Sequence, residues 1–267
     1  MLIYYSDNKE QILPYIMRKN FINKFSLKDQ VVIVTGSNRG NGLAIALGLK
    51  ELGVIVIRID LYFDSKQNID THDISFDLCE VNKIRDVIES IHNKYGKIDA
   101  LVNNAGLSLK SSNPYNDYDS YLKTLNTNLN ASFNMCAAVA PYMKKVRKGS
   151  IVNITSLGAE RGFPNNPSYQ ISKAGIRQAT KAMARDWGEH NIRVNNICPG
   201  YIKTMMTEES FKNPQKNKER LDNMIIKRWG TPEDLVGPVA FLLSEASAYI
   251  TGSDIYVDGG WISNGGL

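Results

Sequence analysis

The run Val31-Val32-Ile33-Val34-Thr35 ends at a glycine, and Gly36-Ser37-Asn38-Arg39-Gly40-Asn41-Gly42 then holds three glycines before a helical stretch begins at Leu43. An unbroken β-branched run reads as a strand buried on both faces, as in parallel sheets. The order strand, glycine turn, helix predicts an α/β fold with a mostly parallel sheet. Glycines permit a tight turn and close backbone approach, and the helix N-terminus offers free N–H groups to an anion. A dinucleotide pyrophosphate suits such a turn. Taken alone, the glycine spacing also suits a strand-to-helix turn with no ligand.

Val54-Ile55-Val56-Ile57-Arg58-Ile59-Asp60 reads as a second strand closing on an acid. A carboxylate there accepts hydrogen bonds from adenosine ribose hydroxyls and repels a 2′-phosphate. Arg39 and Arg58 argue the other way, because a guanidinium pairs well with phosphate. The strand-end carboxylate weighs more, so NAD is the expected cofactor and NADP the alternative. A polar stretch over residues 61–71 leads to a third strand near residues 72–76. Val81, Ile84, Val87, Ile88 and Ile91 recur at helical spacing and read as core. Residues 98–102, 150–156 and 192–198 give further strands, and residues 118–146 read as one long helix.

Tyr169 and Lys173 stand four apart, which on a helix places both side chains on one face. A phenol holds its proton until about pH 10, and a nearby ammonium lowers that value. The pair therefore suits acid/base work on an alcohol, although Tyr-x-x-x-Lys is also an ordinary helix-surface spacing. Ser156, thirteen residues before Tyr169, lacks a His/Asp partner pattern, so a serine hydrolase is a poor reading.

Composition removes other classes. The net charge of +5 is spread along 267 residues without a block of like charge, so neither nucleic acid nor a membrane surface is an expected partner. No apolar run is long enough to span a bilayer, and a signal peptide is not expected. Cys79, Cys136 and Cys198 are odd in number and match no metal spacing. No metal is expected, and the cysteines suit a reducing compartment such as the cytoplasm. Residues 1–26 read as an extension whose Tyr4, Tyr5, Ile12, Tyr15, Ile16 and Phe21 are apolar enough to pack on the domain or a neighbouring subunit.

Thr35-Gly36-x-x-x-Gly40-x-Gly42 resembles the cofactor motif of the short-chain dehydrogenase/reductase family, with Asn41 where that family usually has an aliphatic residue. The likeness continues in order through Asp77-Leu78, Asn103-Asn104-Ala105-Gly106, Asn126-Thr127-Asn128-Leu129, Ser156, Tyr169 with Lys173, Pro199-Gly200 and Asp258-Gly259-Gly260. It runs from about residue 26 to residue 261, with only a short polar segment at 61–71 where the family usually has a helix.

The resemblance implies one doubly wound domain over residues 27–267, with seven parallel strands in the order 3-2-1-4-5-6-7 and a substrate lid at about 205–228. It implies that Asn128, Ser156, Tyr169 and Lys173 are catalytic. Tyr169 would exchange the alcohol proton, Ser156 would hold the substrate oxygen, Asn128 would support a proton relay, and Lys173 would lower the phenol pKa and bond the nicotinamide ribose. Gly36, Asn38, Arg39, Gly40, Asn41, Gly42, Asp60, Asp77, Leu78, Asn104, Ala105, Gly106, Pro199, Gly200, Ile202 and Thr204 would contact the cofactor, together with Tyr169 and Lys173. Related enoyl reductases space Tyr and Lys further apart, so carbonyl/alcohol chemistry is favoured.

Substrate walls are expected from residues 107–115, residues 157–166 and the lid, with Glu160, Arg161, Asn165 and Asn166 as a polar set. Residues 228–234 and 258–261 resemble gluconate-type sugar-acid dehydrogenases, so a sugar, sugar acid or sugar nucleotide is the first substrate choice. A 3-oxoacyl thioester reductase is the enzyme alternative, and a non-catalytic dinucleotide sensor or scaffold the alternative of another class. Family members commonly assemble as homotetramers or homodimers through the helices bearing Asn128 and Tyr169. The run 174–183 suits that contact or intrachain packing.

Overall fold

The computed structural model describes residues 21–63 and 72–264. Residues 1–20 of the extension and 64–71 of the polar stretch lie outside them.

Seven parallel strands form one sheet in the order β3-β2-β1-β4-β5-β6-β7. They are β1 Val31–Thr35, β2 Ile55–Asp60, β3 His72–Ser75, β4 Ala100–Asn103, β5 Gly149–Ile154, β6 Ile192–Pro199 and β7 Asp254–Val257. The fold class and strand order are those expected. The helices that flank the sheet up to β6 are α1 Gly40–Glu51, α2 Ile84–Tyr95, α3 Tyr118–Leu125, α4 Ala131–Val146 and α5 Pro167–Trp187. After β6 come α6 Glu208–Lys212, α7 Pro214–Asn223 and α8 Val236–Leu243.

Alternation along β1 explains the two layers. Val31 and Ile33 join a core with Ile84, Ile88 and Ile91 of α2 and Met135 and Val139 of α4. Val32 and Val34 point the other way, into a core with Ile45 and Leu49 of α1 and Val239 and Leu242 of α8. Successive strand residues face opposite sides, so a strand covered on both faces must be apolar throughout. With β1 flanked by β2 and β4, the order reverses at β1. The crevice outside the strands' carboxyl ends at such a reversal is where α/β sheets bind ligands.

Two departures from simple periodicity stand out. The expected single helix over 118–146 is helical throughout, but Asn126–Asn130 forms a π-turn between α3 and α4. Such turns insert an extra residue and redirect side chains. The expected lid region is helical, with a short 3₁₀ turn at Met205–Thr207 followed by α6 and α7. Among the described residues, no helix is long and apolar enough to cross a membrane.

Candidate active site

The turn after β1 is held by its neighbours. Gly36 has φ +62°, and a Cβ there would lie 2.6 Å from the Ala105 Cα, so β1 and β4 approach too closely for a side chain. A Cβ on Gly42 would collide with the Gly36 carbonyl. The Asn104 amide donates to the carbonyls of Thr35 (3.1 Å) and Gly36 (2.8 Å), and the Thr35 hydroxyl accepts from the backbone N–H groups of Asn104 and Ala105 at 3.1 Å each. Asn104 thus spends its amide on the turn. Pro199-Gly200 closes the far side: Gly200 N–H donates to Val257 O at 3.0 Å, and Ile202 is buried. Asp77 accepts from Cys79 N–H at 2.9 Å, and the adjacent Leu78 is buried in the core with Ile84 and Ile88.

The turn fits an anionic dinucleotide. Arg39, the N-cap of α1, makes no capping bond with its side chain, and the first turn holds no acid, so its N–H groups face no protein anion. A Cβ on Gly40 would meet nothing nearer than Thr204 Cγ2 at 3.8 Å, which leaves a cradle between the turn and Thr204. The Oδ1 atoms of Asn38 and Asn41 are buried without a partner.

Asp60 closes β2 with both carboxylate oxygens on the backbone. One carboxylate oxygen accepts from Asn38 N–H and the other from Leu61 N–H, both at 2.8 Å. Arg58 does not point to a phosphate. It is fully buried and pairs through both nitrogens with Asp73, its cross-strand neighbour on β3. Its guanidinium lies 4.7 Å from the Phe63 ring centre. Of the two arginines weighed for NADP, only Arg39 is exposed at the turn.

At the chemical end the four expected residues converge. Lys173 is buried, and its Nζ donates to Ile154 O at 2.8 Å and sits 5.8 Å from the Tyr169 ring centre. The π-turn aims Asn128 inward. Its Oδ1 accepts from Leu107 N–H at 2.8 Å, and its Nδ2 donates to Leu107 O at 2.9 Å and Ser172 Oγ at 3.0 Å. Gly106 fills the gap between Asn128 and Lys173: a Cβ there would lie 3.3 Å from Asn128 Oδ1 and 3.4 Å from Lys173 Nζ. Ser156 Oγ accepts from Gly158 N–H at 3.1 Å.

The electrostatics differ from the simple expectation. Burial pushes the Tyr169 phenol above its ordinary pKa, and the Ser156 hydroxyl pulls it back down. In the cofactor-free protein the lysine does not set the phenol's pKa, because burial weakens the ammonium itself. Burial lowers Lys173 to about 8, against a smaller upward pull from Cys198. Between about pH 8 and the ordinary 10.5, the unfolded chain binds this proton and the folded chain does not. Stability from this group therefore rises with pH across that window, by roughly 3 kcal/mol. Cys198, raised by burial to about 11, opposes the trend above pH 9. The lysine is isolated by the difference between parent and Lys173→Met. We expect the parent's urea stability to gain on the variant's between pH 8 and 10; a flat difference would contradict a buried, weakened lysine.

The expected polar wall is partly committed elsewhere. Glu160 accepts from the Tyr256 hydroxyl and pairs with Arg177 at 3.0 Å. Asn166 donates to Ser108 Oγ at 2.8 Å, and Arg161 to Ile262 O at 3.5 Å. The sequence reading missed an aromatic assembly. Phe163 faces Trp261 at 5.6 Å, Trp261 faces Tyr201 at 5.9 Å, and Trp229 meets both Tyr201 and Phe211 at 5.5 Å. Trp229 and Trp261 lie in the two segments that carried the sugar-acid likeness, but nothing in the sequence showed that they meet through Tyr201. Trp229 Nε1 donates to Asn217 Oδ1 at 2.7 Å, fastening α7 to this assembly. A separate concavity of about 1020 Å³ opens near Asp99, Ser150 and Ile192, at the amino ends of the strands, and contains none of the four residues. Among the described residues, no cluster is arranged to hold a metal ion.

A seven-stranded, doubly wound sheet with this glycine turn and this Ser-Tyr-Lys-Asn group defines a nicotinamide-dependent oxidoreductase. The family model described as "Enoyl-(Acyl carrier protein) reductase" matches residues 36–262. The chain is 33% identical over 251 residues to 2-dehydro-3-deoxy-D-gluconate 5-dehydrogenase of Dickeya dadantii, covering 91% of this chain and 99% of that protein. It is 36% identical over 249 residues to 3-oxoacyl-[acyl-carrier-protein] reductase FabG of Thermotoga maritima, covering 88% and 99%. A solved gluconate 5-dehydrogenase from Burkholderia cenocepacia, in complex with NADP and tartrate, superposes with a TM-score of 0.86 at 29% identity, over 91% of this chain and 99% of that one. The chain belongs to the short-chain dehydrogenase/reductase family.

Proposed function

We propose that this enzyme interconverts a secondary alcohol and a ketone on a sugar or sugar acid, with NAD preferred. The observation that carries the chemistry is the convergence of Tyr169, Ser156, Lys173 and Asn128 at the carboxyl ends of the strands. Tyr169 removes the alcohol proton in oxidation and returns it in reduction. Ser156 orients the substrate oxygen toward the phenol, a positioning role. Lys173 would bond the nicotinamide ribose, and Asn128 steadies the Leu107 loop beside it. The α1 N-terminus, Gly40, Gly106 and residues 199–204 would hold the dinucleotide, with Asp60 at its adenosine ribose. The nicotinamide supplies the hydride acceptor or donor.

The sugar-acid reading draws on the Dickeya and Burkholderia relatives. The thioester reading draws on the Thermotoga relative. The lid favours the first. Around it Lys110 and Lys216 share Glu209, while Lys212 pairs with Glu208 and Lys218 with Asp222, so three acids offset all but one charge of these four lysines. That set offers an acidic carrier one net positive charge rather than four. A sensor without turnover is disfavoured by the retention of all four chemical positions. NAD preference rests on Asp60 and on the engagement of Arg58 by Asp73, although solved relatives hold NADP.

Residues 27–267 serve as one catalytic domain, with 205–228 as its lid. Phe133 and Ile171, about half exposed on the long helices, suit a homo-oligomeric contact. Three free cysteines go with a cytoplasmic location. The purified protein is assayed at the reduced-nicotinamide absorbance with polyols, sugar acids and 3-oxoacyl thioesters, using each dinucleotide. We expect turnover of a sugar acid or polyol, with kcat/KM at least about tenfold higher for NAD, since one well-placed charged contact is worth about 1.5–3 kcal/mol. Higher efficiency with NADP, or turnover of thioesters alone, would reverse these assignments.

A further inference from the structure

Gln170, the residue after Tyr169, has its whole amide engaged by the loop that follows Ser156. Its Oε1 accepts from Phe163 N–H at 2.7 Å, while its Nε2 donates to Phe163 O at 2.7 Å and Asn166 O at 2.8 Å. A primary amide can read the donor and the acceptor of one residue together; a carboxylate lacks the donors and an aliphatic chain lacks both. The loop is pinned on either side of this clamp. Gly158 N–H is bonded to Ser156 Oγ, and Asn166 bridges to Ser108 on the opposite wall. Between the clamped residues Asn165 sits at φ +61°, in the left-handed region that asparagine enters more readily than other side chains, so the loop turns sharply there. The Gln170 stem also lies against Gly158: a Cβ on that glycine would be 3.3 Å from Gln170 Cγ and 3.6 Å from Ser156 Oγ.

We propose that Gln170 is a positioning residue. By clamping Phe163 and Asn166 to the first turn of α5, it fixes the Ser156 loop at one distance from the Tyr169 phenol and sets the aromatic wall of Phe163 and Trp261 beside them. The proposal rests on the reading of Ser156 and Tyr169 as the reacting-end groups. Its reach is local. The glycine turn and Asp60 belong to other elements, so dinucleotide affinity does not depend on the clamp.

The test compares parent, Gln170→Leu and Gln170→Glu by three readouts. These are exchange of the Phe163 amide hydrogen in cofactor-free protein, the dissociation constant for NAD, and kcat and KM with the best substrate of the parent. In Gln170→Leu the Phe163 amide should exchange at least about tenfold faster, as a lost local hydrogen bond allows. Its kcat/KM should fall by about 10²-fold, the cost of misplacing a reacting group by about 1 Å, with NAD affinity unchanged. Gln170→Glu keeps the acceptor but turns a carboxylate toward two carbonyls. Its activity relative to parent should recover as pH falls and the carboxyl gains a proton to donate, a dependence that a general loss of folding would not produce. Unchanged Phe163 exchange overturns the proposal. So does kcat/KM of Gln170→Leu within about threefold of parent, or NAD affinity falling in step with turnover. If the parent itself turns over nothing, the functional reading fails and takes the positioning role with it; faster Phe163 exchange would then still mark the clamp.

Discussion

Tyr169→Phe lowers turnover by about 10²–10⁴-fold, the usual worth of a positioned acid/base, while NAD affinity stays within about twofold of the parent. The substitution removes one oxygen and keeps the ring. Lys173 retains its bond to the Ile154 carbonyl, so the pocket keeps its shape. What is lost is the only step the phenol performs, transfer of the substrate proton. The parent's pH profile carries the same signature. Burial raises the phenol's pKa and the Ser156 hydroxyl lowers it less. Oxidation needs the phenolate and should climb toward alkaline pH; reduction needs the phenol and should decline over the same range. Steady-state rates in both directions, with dinucleotide binding followed by fluorescence, decide it. An active phenylalanine variant would remove Tyr169 from the chemistry.

Asp73→Ala costs about 3 kcal/mol of stability, the lower end of the range for breaking a buried pair, because Asp73 is partly exposed. Arg58 has no exposed surface, and the Asp73 carboxylate meets it through two nitrogens. Without that carboxylate the guanidinium keeps the Ser37 carbonyl, at 3.4 Å, and the Phe63 ring. A buried charge left with such partners is expensive. Arg58→Met in the same chain should return most of the loss, since replacing both members of a buried pair with apolar groups is close to neutral. Urea unfolding of the single and double variants measures both. A double variant no more stable than Asp73→Ala would mean that the unpaired guanidinium is not the source of the loss. Asp73→Ala should also narrow the preference for NAD, because it frees a guanidinium beside the glycine turn.

What the sequence revealed, and what it withheld, follows from range. β1, its glycine turn and α1 are contiguous, and their pattern is set by burial on both faces and by a close contact that excludes side chains. Such constraints are written locally. Tyr169 and Lys173 are legible for the same reason, being one helical turn apart. Arg58 looked like a phosphate ligand because its partner lies fifteen residues away across a parallel ladder, and no local pattern announces that pairing. Glu160 looked like a substrate ligand because Arg177 and Tyr256 reach it from another helix and the last strand. The phenol's pKa was misjudged because charge was counted and burial was not. The Gln170 clamp was hidden because a glutamine in a helix's first turn resembles any solvated polar residue.

The π-turn at Asn126–Asn130 gives the segment a built-in frame sensitivity. Deleting one residue there would restore an ordinary helix and would redirect the side chains within the turn, while the flanking helices keep nearly the same faces, because five residues of π-turn wind about as far as four of α-helix. The backbone would gain regularity, yet the amide that braces the Leu107 loop would swing away from it. Shortening this helix by one residue is thus predicted to yield a well-folded chain that has lost its activity, whereas side-chain exchanges on the helix's outer surface are absorbed.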